Sequence, residues 1–109
     1  MFKVPSFELP APLDMSNFKS LPEWAFEAIK EEIEQFQAGL GADHDIGIIV
    51  SGAQSAIHAS RVRLADQMIV FEGVDEENRI ARVIAHYTQV NFRLVAVPKI
   101  EANARRIGF

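Results

Sequence analysis

A change in hydrophobic period divides this chain and constrains its fold more than any other feature. Between Leu21 and Leu40, apolar residues recur every three or four positions, as on one face of an α-helix. From Asp45 to Lys99 they recur at every second position or in short runs, which is typical of strands. The 109 residues make about one domain's length. The sequence therefore predicts a single mainly β domain with an N-terminal helix.

The predicted helix begins after Ser20, which has capping-box spacing to Glu23, and ends at Gly39 or Gly41. Pro22 is tolerated because it falls in the first turn. One face carries the apolar stripe that we expect to be buried, formed by Ala25, Ile29, Ile33, Phe36 and Leu40. The other face carries glutamates, and we interpret it as solvated rather than catalytic.

Five strands are predicted, at residues 45–51, 55–65, 67–74, 79–89 and 92–98. In the second strand the apolar residues change from one face to the other. Ile57 and Ala59 fall on one face, and Val62 and Leu64 fall on the opposite face. A β-bulge or a sharp bend near Ser60 would explain this change, and bends of that kind let a small sheet curl into a barrel.

The last two strands are apolar on both faces. Parallel sheets have this property, but no crossover helices are present to cover one. Because apolar edge strands aggregate unless they are paired, we expect regular self-association of the chain. The candidate interface residues are Val83, Ala85, Tyr87, Val95 and Val97.

The segments outside the predicted domain have different compositions. Residues 1–20 hold three of the five prolines together with several apolar side chains, so we expect an arm on a protein surface. That surface belongs either to the same domain or to a neighbouring subunit. Residues 21–99 form the domain and residues 100–109 a tail. The absence of cysteine and of any long apolar run predicts a cytoplasmic protein without disulfides or a membrane span.

Charge is distributed unevenly along the chain, whose net charge is −4. The predicted helix carries five glutamates and one lysine, whereas residues 52–109 carry eight basic and six acidic side chains. An acidic helix therefore precedes a mildly basic strand region, which permits nucleic-acid contact without requiring it.

No catalytic or metal-binding pattern is present. His44, His58 and His86 do not have the spacing of a local zinc site, and we expect His86 to be a structural imidazole with its hydrogen bonds satisfied. Ser51 and Ser55 lack the context of a catalytic nucleophile. Residues 75–78, DEEN, are best interpreted as a hairpin turn. We expect no enzyme activity and no cofactor.

One helix followed by five strands, with a bent second strand, resembles the Sm-like family. The run from Asp66 to Phe71, DQMIVF, is similar to the family's signature of an aspartate followed by aliphatic residues. Ala96, Val97 and Pro98 are similar to the end of the last strand in its bacterial RNA chaperones. The resemblance covers residues 21–99 and implies a strongly bent, five-stranded antiparallel open barrel.

The same resemblance implies a homo-oligomeric ring, assembled by pairing the fourth strand with the fifth, that binds single-stranded RNA near its pore like an RNA chaperone. The candidate RNA-binding residues are Asp66, Gln67 and Asn91 in the loops, with Arg61, Arg63 and Arg93 of the mildly basic strand region supplying charge. Each has a simpler alternative: the arginines as solvated surface, and the loop residues as partners of turn backbone groups.

The sequence departs from the family at several positions. Ile57 stands where a second glycine is usual, and Val90 and Asn91 replace the Lys-His pair of the chaperones. The last fifteen residues, VAVPKIEANARRIGF, also resemble a small bacterial family of unknown function, which implies no activity. Arg105 and Arg106 in this tail are an alternative RNA site. The alternative function is a structural or adaptor oligomer that presents the acidic helix to a protein partner.

Overall fold

The computed structural model describes residues 19–52, 54–99 and 107–109. The elements are α1 (Leu21–Ala38), β1 (His44–Ser51), β2 (Ala56–Ala65), β3 (Met68–Asp75), β4 (Ile80–His86) and β5 (Phe92–Pro98). The helix and five strands predicted from the hydrophobic period are thus confirmed. The largest difference is at the end of β4, which stops three residues early because residues 87–89 form a turn. The predicted arm, apart from residues 19 and 20, and residues 100–106 of the tail lie outside the described residues.

Helix α1 begins where its capping residues predict. The Glu23 backbone N–H donates to Ser20 Oγ, and the Ser20 hydroxyl donates to the Glu23 carboxylate. Gly39 caps the other end. Ile33 is fully buried in the core, and the partly buried residues of the helix and its C-terminal turn that pack against that core are Phe26, Ile29, Phe36 and Leu40. Phe26 therefore joins the stripe predicted from the sequence.

The strands form one antiparallel sheet in the order β4-β3-β2-β1-β5, so that β4 and β5 are its two edges. The sheet is strongly curled. Phe71 on β3 and Phe92 on β5 have ring centroids 5.3 Å apart although β2 and β1 lie between their strands. Strands three places apart in a flat sheet would be separated by about 14 Å. The curled sheet encloses the core, and α1 packs on β1 and β2.

The predicted bulge in β2 is present. The register of β2 on β3 shifts between Ala59 and Arg61, which leaves Ser60 without a paired residue on β3. As a result Ile57, Ala59 and Val62 are all buried, and Leu64 packs against the same core. Gly73 lies opposite the bulge, where a Cβ atom would overlap the His58 carbonyl group. The bend therefore depends on glycine at position 73.

The β3–β4 connection is a turn, as the DEEN sequence predicts. Asp75 organises it, since its Oδ1 accepts the backbone N–H groups of Glu77 and Arg79, both at 2.9 Å. Its Oδ2 accepts the Arg79 Nε–H at 2.8 Å. The backbone N–H of Arg79 is the largest cause holding the pKa of Asp75 below its usual range. Asn78 adopts φ 62°, which asparagine tolerates.

Candidate nucleic-acid interface

Arginines and one glutamate cluster on the outer face of β2, β3 and β4. Glu72 is paired with Arg61 on β2 and with Arg82 on β4. Its Oε1 lies 2.6 Å from Arg63 Nε and 3.6 Å from Arg82 Nε. The Arg63 hydrogen bond, supported by the charges of Arg82 and Arg61, holds the pKa of Glu72 below its usual range. Three guanidinium groups around one carboxylate leave an excess of positive charge, as a phosphate site requires.

Arg82 was not predicted from the sequence. The sequence feature that could have indicated Arg82 is the alternation of residues along β4. Arg82 shares one face with Ile80, Ile84 and His86, and these residues alternate with residues that face the core. The pairing of β4 on β3 was needed as well, since it places Arg82 opposite Glu72. The register of a hairpin cannot be read from one strand alone.

The predicted loop residues Asp66 and Gln67 form the two-residue turn between β2 and β3, with Asp66 at φ 54°. Gln67 binds the end of β4 in two ways. Its backbone carbonyl oxygen accepts the Tyr87 backbone N–H at 3.0 Å, and its side-chain Oε1 lies 3.2 Å from His86 Nε2. Gln67 is thus held in place, as the simpler alternative of turn stabilisation requires.

His86 links this turn to the one after β4. The Thr88 backbone N–H donates to His86 Nδ1 at 3.3 Å, and the Thr88 hydroxyl lies 2.8 Å from the same atom. Because Nδ1 accepts, the ring proton belongs on Nε2, from which it is donated to Gln67 Oε1. Both ring nitrogens have partners, which confirms the structural role expected for His86.

The structure brings only some of the predicted RNA-binding residues together. Arg61 and Arg63 lie on one face of β2, which leads directly into the turn holding Asp66 and Gln67. Arg93 is different, because it lies on β5, where it pairs with Ile49 of β1, at the opposite edge of the sheet from β4. Asn91 is exposed and immediately precedes β5. The outer face of β2, β3 and β4 is therefore the face whose chemistry is most complementary to RNA.

The candidate interface residues on the edge strands have contacts within the chain. Val83 and Tyr87 pack against the core, and Ala85 pairs with Ile69 on β3. On β5, Val95 and Val97 lie over Gly47, where a Cβ atom would come within 2.9 Å of Val95 Cγ2.

The uncovered apolar side chains of β4 are Ile80 and Ile84, which are 92% and 61% exposed. The sequence places them on one face of β4 but does not reveal that this face is open.

Helix α1 carries a second distinctive surface. Trp24 is 61% exposed and lies beside Glu27 and Glu31 in a shallow cleft. The Lys19 ammonium lies 5.6 Å from the centre of its ring. An exposed tryptophan with a rim of charged residues has the composition of a protein-contact site.

Among the residues that the structure describes, no three histidine, aspartate or glutamate side chains are grouped closely enough to hold a metal ion. The same part of the chain contains no helix long and apolar enough to cross a membrane. In comparisons with known proteins, the chain matches no family model, no curated protein and no solved structure.

Proposed function

We propose that this chain is an Sm-like homo-oligomeric ring protein that binds single-stranded RNA. The observation that carries the proposal is the order of strands in a curled, unclosed sheet, with β4 at one edge and β5 at the other. Such a sheet has two complementary free edges. Pairing β4 of one copy with β5 of the next satisfies both edges, and repetition of one head-to-tail contact closes a ring.

The exposed apolar residues of β4 support assembly through this edge. Ile80 and Ile84 lie on the edge strand itself, so a neighbouring copy that pairs with β4 also reaches these side chains. Exposed apolar residues along an unpaired edge are an aggregation hazard in a monomer. A regular partner strand removes that hazard.

RNA binding is supported by the positive cluster of Arg61, Arg63 and Arg82 around Glu72. Repetition in a ring multiplies this modest charge. Gln67 and Asn91 supply amides of the kind that contact base edges. The Tyr87 ring packs against the core, so the proposed RNA contact rests on charge and amides rather than on stacking. With few arginines per copy, affinity should be weak and should fall with a shallow slope of log affinity against log salt.

Fluorescence anisotropy with labelled U-rich and A-rich oligonucleotides at low salt tests RNA binding. Replacing Arg61 and Arg82 together by glutamine should weaken binding about tenfold. The matched comparison is replacement of Lys19 and Lys30 together by glutamine, which removes two positive charges at α1, away from the β2–β4 face, and should have a smaller effect. No binding at roughly tens of micromolar by a sample shown to be oligomeric would contradict the RNA proposal.

A second candidate function is that of an adaptor which presents α1 to a protein partner. The observation that favours it is Trp24, exposed among glutamates on the helix. Replacing Glu27 and Glu31 by lysine separates the two functions: it should strengthen RNA binding but abolish binding of an adaptor's partner. Trp24→Ala should leave RNA affinity unchanged and disrupt only the adaptor function.

A further inference from the structure

The β-bulge separates β1 from β2 and leaves a split in the sheet. The two strands pair from Ser51↔Ala56 to Ile48↔Ala59, and within the described residues the pairing ends there. Beyond this point β1 continues on β5 and β2 continues on β3. The β1-facing side of β2 is therefore available to another strand at Ser60 and Val62.

Residues 107–109 lie in this split, where Gly108 forms an isolated β-bridge. The Gly108 N–H donates to the Ser60 carbonyl at 2.8 Å, and the Val62 N–H donates to the Gly108 carbonyl at 2.9 Å. Gly108 and Arg61 form a parallel bridge. These two bonds satisfy backbone groups of β2 that β1 does not reach, which is how a peptide is added to an open sheet edge.

The side chains on either side of Gly108 have separate contacts. Ile107 packs against the hydrophobic core. The Phe109 ring meets Phe26 of α1 edge-on, with centroids 6.4 Å apart, and the Lys30 ammonium lies 5.5 Å from its centre. An aliphatic residue, a glycine and an aromatic residue thus fit the split, and backbone hydrogen bonds set their register.

Ile107 also forms part of the wall of a larger apolar groove. The groove has a volume of about 790 Å³, and its apolar lining includes Ile46, Ile48, Ala59, Val74, Ile80 and Ile107. The split is therefore the end of a continuous surface that reaches β4.

We propose that the split is a strand-addition site that exchanges its own residues 107–109 for the same residues of a second copy of the chain. The two occupants make identical contacts, so contact energy does not favour either one. The two backbone hydrogen bonds contribute about 1 kcal/mol each and the packing of Ile107 about 1.5–3 kcal/mol, less than the stability of a typical domain, so the segment can leave while the rest of the sheet stays folded. The seven residues between Lys99 and Ile107 can span at most about 25 Å, so exchange is limited to a copy whose split lies within that distance of Lys99.

Local concentration then decides which copy fills the split. In an assembly, the neighbour's segment competes with the chain's own, and exchange links adjacent subunits at a place separate from the β4 and β5 edges. Exchange between copies requires the proposed self-association, which brings a second copy close. The strand-addition site itself does not depend on self-association.

Disulfide trapping tests the exchange, because the chain has no cysteine of its own. Residues paired across neighbouring strands lie about 5 Å apart, within the span of a disulfide. A double variant with Arg61→Cys and Gly108→Cys should form an intramolecular disulfide. When the two single variants are mixed and oxidised, we expect a covalent dimer, whereas Arg93→Cys mixed with Gly108→Cys should give none.

A disulfide in the double variant without a dimer from the mixed single variants would overturn the exchange. Failure of the double variant to cross-link would overturn the site itself. Light scattering on the wild-type chain measures self-association separately. A monomeric chain would contradict the proposed ring but would not contradict the strand-addition site.

A peptide experiment tests the site without any assembly. A full-length chain carrying Gly108→Pro, whose own tail has lost the N–H that binds Ser60, should bind a labelled peptide of residues 103–109, NARRIGF, and a scrambled peptide of equal charge should not compete. Gly108→Pro in the peptide removes the N–H that binds Ser60 and should weaken binding about tenfold. Gly108→Ala should change affinity less than threefold, because its Cβ would lie at an ordinary 3.5 Å from Arg61 Cγ. Equal binding of the proline and glycine peptides would contradict strand addition.

Discussion

The two edge strands carry the same apolar pattern for different physical reasons. On β5, the outward valines Val95 and Val97 cover Gly47 of β1, so the chain itself accounts for their burial. On β4, the outward Ile80 and Ile84 are exposed. A strand that is apolar on both faces is therefore not by itself evidence for a partner, and of the two edges it is β4 whose outward isoleucines no part of the described chain covers.

The largest expected effect is at Gly73, which allows the curl on which both edges depend. Gly73→Val should destabilise the domain by about 3 kcal/mol or more, because the new side chain would overlap the His58 backbone opposite the bulge. Urea unfolding followed by circular dichroism measures the loss. Gly41→Val is the control, since no atom lies within 4 Å of a Cβ atom there. Equal stability of the two variants would mean that the bend does not require glycine.

Val95→Lys should damage both the fold and the assembly. The substitution removes a half-buried valine from its contact with Gly47, at an expected cost of about 1–2 kcal/mol. It also places a charge on an edge that we expect to be paired. Urea unfolding and light scattering on the same sample measure the two effects, and a stable variant that still assembles would contradict both contacts.

Ile84→Lys sharpens the contrast, because it should prevent assembly without weakening the fold. Ile84 is 61% exposed, so its replacement should change the free energy of unfolding by less than about 0.5 kcal/mol. Glu27→Lys adds positive charge on exposed α1 and serves as control. If Ile84→Lys leaves the particle mass unchanged, the outward face of β4 is not part of the subunit contact.

The smallest expected effect is on pH dependence. The pKa values of Glu72 and Asp75 are both lowered in the folded chain, by the Arg63 hydrogen bond and the Arg79 backbone N–H respectively. Their stabilisation is complete above the unfolded-state values of about 4 and is lost as pH falls through the lowered ones.

Both carboxylates contact or adjoin β4, so acid should weaken that edge before β5. Amide hydrogen exchange at pH values from about 5 downward should show β4 losing protection first. Asp75→Asn should reduce the effect, whereas Glu76→Gln removes a charge from the same turn and should not. Simultaneous loss of protection at both edges would contradict this difference.

The parts of the fold that depend on local pattern could be predicted from the sequence. The cap at Ser20, the strand periods and the change of face around Ser60 each involve neighbouring residues. The roles of Gly47 and Gly73 could not be predicted in this way, because each depends on a residue brought near by strand pairing. Arg82 required the register of β4 on β3 for the same reason.

The position of residues 107–109 is the clearest example of a feature that could not be predicted from the sequence. Residues 107–109 carry two apolar side chains, but nothing local indicates that they would lie beside Ser60 and Val62. Their place depends on the gap that the bulge opens between β1 and β2. Long-range pairing of this kind is decided by which backbone groups remain unsatisfied after the main ladders have formed.

The central claim is that the free edges of the curled sheet pair between copies, and particle mass tests it most directly. Light scattering after size-exclusion chromatography at micromolar concentration should give one species at a multiple of the 12.2 kDa chain mass, reduced to a single chain by Ile84→Lys. A wild-type particle of 12.2 kDa at micromolar concentration would contradict the claim.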